Sequence, residues 1–136
     1  MIKRVSHVNV FVLDQERAKA FYTEKLGFEL RTDQMMGNFR WLTVSPTGEP
    51  EHELVLMGVS QAPKMNEESR AMLKHLVESG QMGACVFGTK DCRKTYAELK
   101  ARGVPFRSEP EERFYGIEAM FQDDSGNWFS LTERRR

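Results

Sequence analysis

The chain has 136 residues, the size of one ordinary domain, with 40% hydrophobic and 29% charged residues, which supports a core and excludes a disordered chain. Twenty Lys and Arg offset twenty Asp and Glu, so no net charge draws it to nucleic acid or to an anionic membrane. No apolar run approaches the roughly 18 residues of a membrane span, and the opening MIKRVSHV lacks a signal peptide's apolar stretch, so the expected location is cytoplasmic.

The first element is the strand SHVNVFVLD, residues 6–14. Val8, Val10 and Val12 fall on one face, which reads as a packing face, and His7, Asn9 and Phe11 on the other. Asp14 is placed to cap a helix over 15–26, carried by Ala18, Phe21, Tyr22 and Leu26 and stopped by Gly27. FELRTDQMM, NFRWLTVS and HELVLMG then read as three strands, parted by turn signals at Gly37-Asn38 and SPTGEP. Residues 59–80 read as a helical connector, with Pro63 opening it, Asn66 as cap, Met72, Leu73, Leu76 and Val77 as its apolar stripe, and Gly80 as its end.

The first pattern then returns. GACVFGTKD is a strand leading to a second cap, Asp91. Cys92, Thr95, Tyr96 and Leu99 make the next helical stripe, and Gly103 ends it. PFRSEPEE, YGIEAMFQ and NWFSLTE follow as strands, with DDSGN as the last turn, and Arg134–Arg136 read as a solvated tail. Asp14 and Asp91 lie 77 residues apart, Gly27 and Gly103 lie 76 apart, and Gly48 and Gly126 lie 78 apart. Such a common offset signals an internal duplication. The predicted fold is therefore α+β, with two tandem βαβββ modules forming a curved mixed sheet around a cavity. Residues 1–58 are the first module, 59–80 the connector and 81–133 the second module of one domain. Cys85 and Cys92 make no disulfide framework and read as small apolar side chains.

SHVNVFVLDQERAKAFYTEKLGFEL, HELVLM, CRKTYAELKARGVPF and YGIEAMFQDDSGNWFSL together resemble the vicinal oxygen chelate superfamily, which includes glyoxalase I, bleomycin-resistance proteins and extradiol dioxygenases. The resemblance implies a single glyoxalase-like domain over 1–136, a divalent metal (zinc, nickel, manganese or iron) and a homodimer. It also implies one metal ligand on the first strand and one on the last strand of each module. In this chain those positions hold His7 and Glu53 in the first half. The offset of 77 places Ala84 and Ser130 at the counterparts. A methyl group cannot ligate and a serine hydroxyl ligates weakly, so two donors remain where catalytic zinc takes three. Glu118 and His52 are the side chains that could add to them, although alternation turns His52 away from Glu53.

Strand parity extends the site to Asn9, Phe11, Val55 and Met57, and in the second half to Val86, Gly88, Trp128 and Thr132. One of Arg40 and Trp41 joins them; Arg40 would suit an anion and Trp128 would offer a stacking platform. Tyr115 stands where it could close the mouth. The candidate catalytic and metal-binding residues are thus His7 and Glu53, and the candidate ligand contacts are Asn9, Phe11, Arg40, Trp41, Met57, Tyr115, Glu118, Trp128 and Ser130. The leading reading is a lyase- or isomerase-type enzyme with an incomplete metal site. The alternative is a metal-free small-molecule binding or drug-sequestration protein of the bleomycin-resistance type. A third is a metal-free enzyme in which Glu53 orients His7 as general base or acid. A plain hydrogen-bonded His7–Glu53 pair stays open as well.

Overall fold

The structure is a computed structural model that describes residues 1–135; Arg136, the end of the expected tail, lies outside the described residues. The elements run β1 (His7–Val12), α1 (Gln15–Ala20, continued by a π-helical turn Phe21–Lys25), β2 (Glu29–Met36), β3 (Phe39–Ser45) and β4 (Glu53–Gly58). After a 3₁₀ turn, Val59–Gln61, come α2 (Glu67–Glu78), β5 (Gly83–Gly88), α3 (Cys92–Ala101), β6 (Phe106–Arg113), β7 (Gly116–Gln122) and β8 (Trp128–Arg134). Each expected cap is made. Asp14 accepts from the Arg17 amide at 3.0 Å, Asn66 from Ser69 at 2.8 Å and Asp91 from Lys94 at 3.0 Å. The solvated tail begins later than expected, because Arg134 still pairs with Gly116 in β8.

Two four-stranded sheets result, ordered β1-β4-β3-β2 and β5-β8-β7-β6. In each, the first strand runs parallel to the last strand of its own module, while the remaining pairs are antiparallel. The repeat read from the offset of 77 is thus a repeat of topology. Pro110 is tolerated in β6 because that strand is a sheet edge.

Val10, Val12, Leu42, Val44, Leu54 and Leu56 of the first sheet share one core with Ala119, Phe121, Phe129 and Leu131 of the second. The first helix is the wedge between them. Phe28, just past it, meets Phe87 edge-on at 5.4 Å, and buried Tyr22 meets Phe129 at 6.4 Å. Polar bonds lock this seam. The Tyr22 hydroxyl donates to Asp123 at 2.7 Å, the Leu13 amide to Ser125 Oγ at 2.9 Å, and Asn127 Nδ2 to the Phe11 carbonyl at 2.7 Å. The β7–β8 turn needs glycine at Gly126, where φ is +114° and a Cβ would lie 2.4 Å from the Val77 carbonyl.

Beside Asp123, the carboxyl of Asp124 is pushed up to about 6, first by burial and then by the charge of Asp123, with Arg17 only partly offsetting them. A carboxyl raised in the folded state takes its proton there before the unfolded chain does. Stability contributed at this position therefore falls as pH rises from about 4 to about 6. Asp124→Asn should flatten that part of the urea-midpoint-against-pH curve. Parallel curves for the two proteins would show that Asp124 contributes no such slope.

Candidate functional site

In each sheet one face packs on helices, and the other carries the polar groups singled out from the sequence. The β1–β4 ladder sets His7 directly beside Glu53. Their side chains meet, Nε2 to Oε2, at 3.2 Å, half-buried. Thr43, one strand further, donates to the other carboxylate oxygen at 2.8 Å, and the ring of Trp41 lies 5.6 Å from that of His7. His7 Nδ1 in turn faces Ser6 Oγ at 3.0 Å. The pair is thus oriented from both ends. Thr43 was not foreseen, although it shares strand parity with Trp41.

The second module repeats the arrangement with different chemistry. Glu118 lies on the same face as Ser130, accepting from its hydroxyl and, at 2.6 Å, from Tyr115. Ser130 also shares a hydrogen bond with Thr132 at 2.8 Å. Burial opposes ionisation of Glu118, but the two hydroxyl donors and the Arg113 charge outweigh it and hold the carboxyl below its ordinary value. Tyr115 is therefore engaged with Glu118, and the carboxylate has moved from the last strand of the module to its neighbour.

Several expected contacts do not reach the site. Arg40 lies on the helix-covered face, where Asp33 takes Nε at 2.8 Å and Glu16 takes Nη2 at 2.6 Å. Its guanidinium cannot serve a ligand on the face of Trp41. Phe11 packs under the connector with Val59, Leu73 and Val77, and Met57 is buried. Trp128 is no open platform: Arg107 lies over its ring at 5.7 Å, and the indole packs against Gly83, where a Cβ would come within 2.6 Å of it. The residue opposite Ser130 is Val86 rather than Ala84, because the ladder slips between Gly83 and Val86. Val86 cannot ligate either. Asn9 remains exposed on the His7 face. His52, just before β4, pairs with Glu49 at 3.1 Å rather than with Glu53.

The donor set does not fit a catalytic metal. Among the described residues no third His, Cys, Asp or Glu joins His7 and Glu53, and both carboxylate oxygens of Glu53 are already engaged.

What the two modules do enclose is a cleft of about 740 Å³ along their seam. It runs inward from His7, Glu53, His52 and Arg4 at the mouth to Val8, Leu54, Phe28, Phe87, Leu99 and Leu131. Its size is that of a small-molecule site. It lies mostly on the valine face of β1, which the sequence marked as packing. Cys85 borders it with a thiol that burial pushes up to about 11, so it stays neutral and unreactive at neutral pH. Cys92 is buried, its Sγ directed at the Leu131 carbonyl.

Tandem modules of this topology, with a polar pair on the first and last strands of one of them, define a family. The model described as the glyoxalase/bleomycin resistance protein/dioxygenase superfamily matches residues 4–131, and the chain belongs to that superfamily. YetH of Bacillus subtilis strain 168 is 41% identical over 98% of this chain and all of that protein. Among solved structures, UcmS2 is 51% identical over 98% of this chain and 99% of its own, with a TM-score of 0.92. TnmS3, an antibiotic binding protein from Streptomyces sp. CB03234, is 34% identical over 98% of each chain, with a TM-score of 0.78. No helix among the described residues is long and apolar enough to cross a membrane.

Proposed function

We propose that this protein binds and sequesters a small, largely apolar molecule without converting it. The apolar body of the ligand sits in the seam cleft, and a polar end rests against the His7–Glu53 pair at the mouth. One observation carries this reading: the chain builds a cleft of about 740 Å³ from both modules, yet among the described residues no three His, Cys, Asp or Glu side chains come together as a metal site. A lyase or isomerase working through a metal needs at least one more donor. The likeness to an antibiotic binding protein supports the same direction.

The protein also pairs with a second copy in this reading. Met35 and Met36 at one hairpin tip and Phe114 and Tyr115 at the other are exposed at matching positions of the two modules, and Met1 and Ile2 are exposed ahead of β1. Sedimentation equilibrium decides the point.

The functional test is a ligand screen by thermal shift, with each hit recovered and weighed by mass spectrometry. Hits should return chemically unchanged, and their affinity should be the same with a chelator as with added zinc. His7→Ala should weaken a hit about tenfold, the value of one polar contact, and not abolish it. A transformed hit, or binding that requires metal, would overturn the proposal.

A further inference from the structure

The two halves of the seam are not alike, and the difference says what the cleft holds. Tyr22 and Leu99 occupy the same place in their modules, 77 residues apart. Both carbonyls accept from the amide that follows the helix-ending glycine: Phe28 to Tyr22 at 2.9 Å, and Val104 to Leu99 at 3.1 Å. In one half of the seam the Tyr22 ring fills the space completely, edge-on to Phe129, with its hydroxyl on Asp123. In the other half a leucine stands in place of the ring, and Pro46 stands in place of the carboxylate. Leu99, Pro46 and Leu54 are all walls of the cleft. The cleft is therefore the vacant counterpart of the Tyr22 seat.

We infer that Leu99 sets the size of this seat and that the ligand group it takes is an uncharged aryl ring, occupying the place that the Tyr22 ring fills in the other half. The inference rests on the binding reading above. The walls agree with it. Phe28 and Phe87, edge-on to each other, are aromatic walls of the space, and Val8, Leu54 and Leu131 line it with hydrocarbon. The hydroxyls of Thr89 and Thr95 are engaged with each other at 2.7 Å. No carboxylate stands where Pro46 replaces Asp123, and the two that line the cleft are already engaged, Glu49 with His52 and Glu53 with His7 and Thr43.

The test uses the neutral aryl dye 1-N-phenylnaphthylamine, titrated by fluorescence into the full chain. One dye per chain should bind. Leu99→Tyr and Leu99→Phe should each weaken it at least tenfold by filling the seat from the protein side; the phenylalanine adds no hydroxyl and keeps the test available should the tyrosine fail to fold. Leu99→Ala should bind within twofold of the parent or tighter. Lys74→Ala, at an exposed position of α2 outside the cleft walls, should leave affinity within twofold. Circular dichroism confirms the fold of each variant. Dye bound equally by the parent and both filled variants would overturn the role of Leu99 while leaving sequestration standing. A parent that binds hits from the thermal-shift screen but not the dye would overturn the aryl assignment alone. A parent that binds neither would remove both readings.

Discussion

Asp123→Ala should cost the fold roughly 3–5 kcal/mol, measured by urea unfolding at neutral pH. The carboxylate is 4% exposed, so it contributes through hydrogen bonds in a site that water does not reach. Oδ1 accepts from the amides of Ser125, Gly126 and Asn127 at 2.9 to 3.0 Å, which shapes the β7–β8 turn. Oδ2 accepts from Tyr22 and from Asn127 Nδ2, which ties that turn to the first module. Burial, and then the Asp123 charge, push the Tyr22 phenol well above its ordinary value, so it remains a donor at any physiological pH. Alanine removes the acceptor of all five hydrogen bonds at once, although Asn127 Nδ2 keeps the Phe11 carbonyl. Tyr22→Phe removes one and should cost only about 1–2 kcal/mol. Combined with Asp123→Ala it should add almost nothing, because its acceptor is already gone. A loss below 1 kcal/mol for Asp123→Ala would mean that water enters the turn and replaces the carboxylate.

That anchor shows what was legible in the sequence and what was not. Asp14, Asn66 and Asp91 were readable as caps because a cap depends on a side chain and an amide three residues on. The duplication was readable because both copies keep the same punctuation. His7 and Glu53 were expected together from the family resemblance, which places one ligand position on the first strand and one on the last strand of a module. The misses share a different cause. Alternation splits Arg40 from Trp41 but does not say which face has the helix; Glu16 and Asp33 decide that, and they come from other elements. The expected partner Ala84 gave way to Val86 because one irregularity in a ladder shifts every later pairing. Trp128 was covered by Arg107, which reaches it from a different strand. The seam cleft was hidden for the most general reason. The packing reading of the valine face of β1 holds for Val10 and Val12, but Val8 opens on the cleft, because packing between modules leaves room where paired residues differ in bulk. The sequence holds that signal as tyrosine in one copy and leucine in the other.

Phe129→Ala is expected to have an effect of similar size, about 3–5 kcal/mol, by a mechanism without polar groups. The ring is fully buried. It stacks on Phe87 at 4.8 Å and on Phe121 at 5.3 Å, and receives Tyr22 edge-on. It is the point at which the aromatic contacts of both modules meet, so truncation opens a hole that neither sheet can close alone. Phe129→Leu keeps most of the volume and should cost only about 1–2 kcal/mol. Its aromatic contacts with Tyr22, Phe87 and Phe121 carry no charge in this range, so the loss should stay constant between pH 5 and 8. Phe87 and Phe121, the two rings that stack on Phe129, also wall the seam cleft. Stability and ligand capture therefore share one wall. A ligand that stabilises the parent by mass action should stabilise Phe129→Ala less, because the rings it rests on have lost their backing. Equal ligand-induced shifts in the two proteins would place the bound molecule elsewhere, against the polar face of His7 and Trp41.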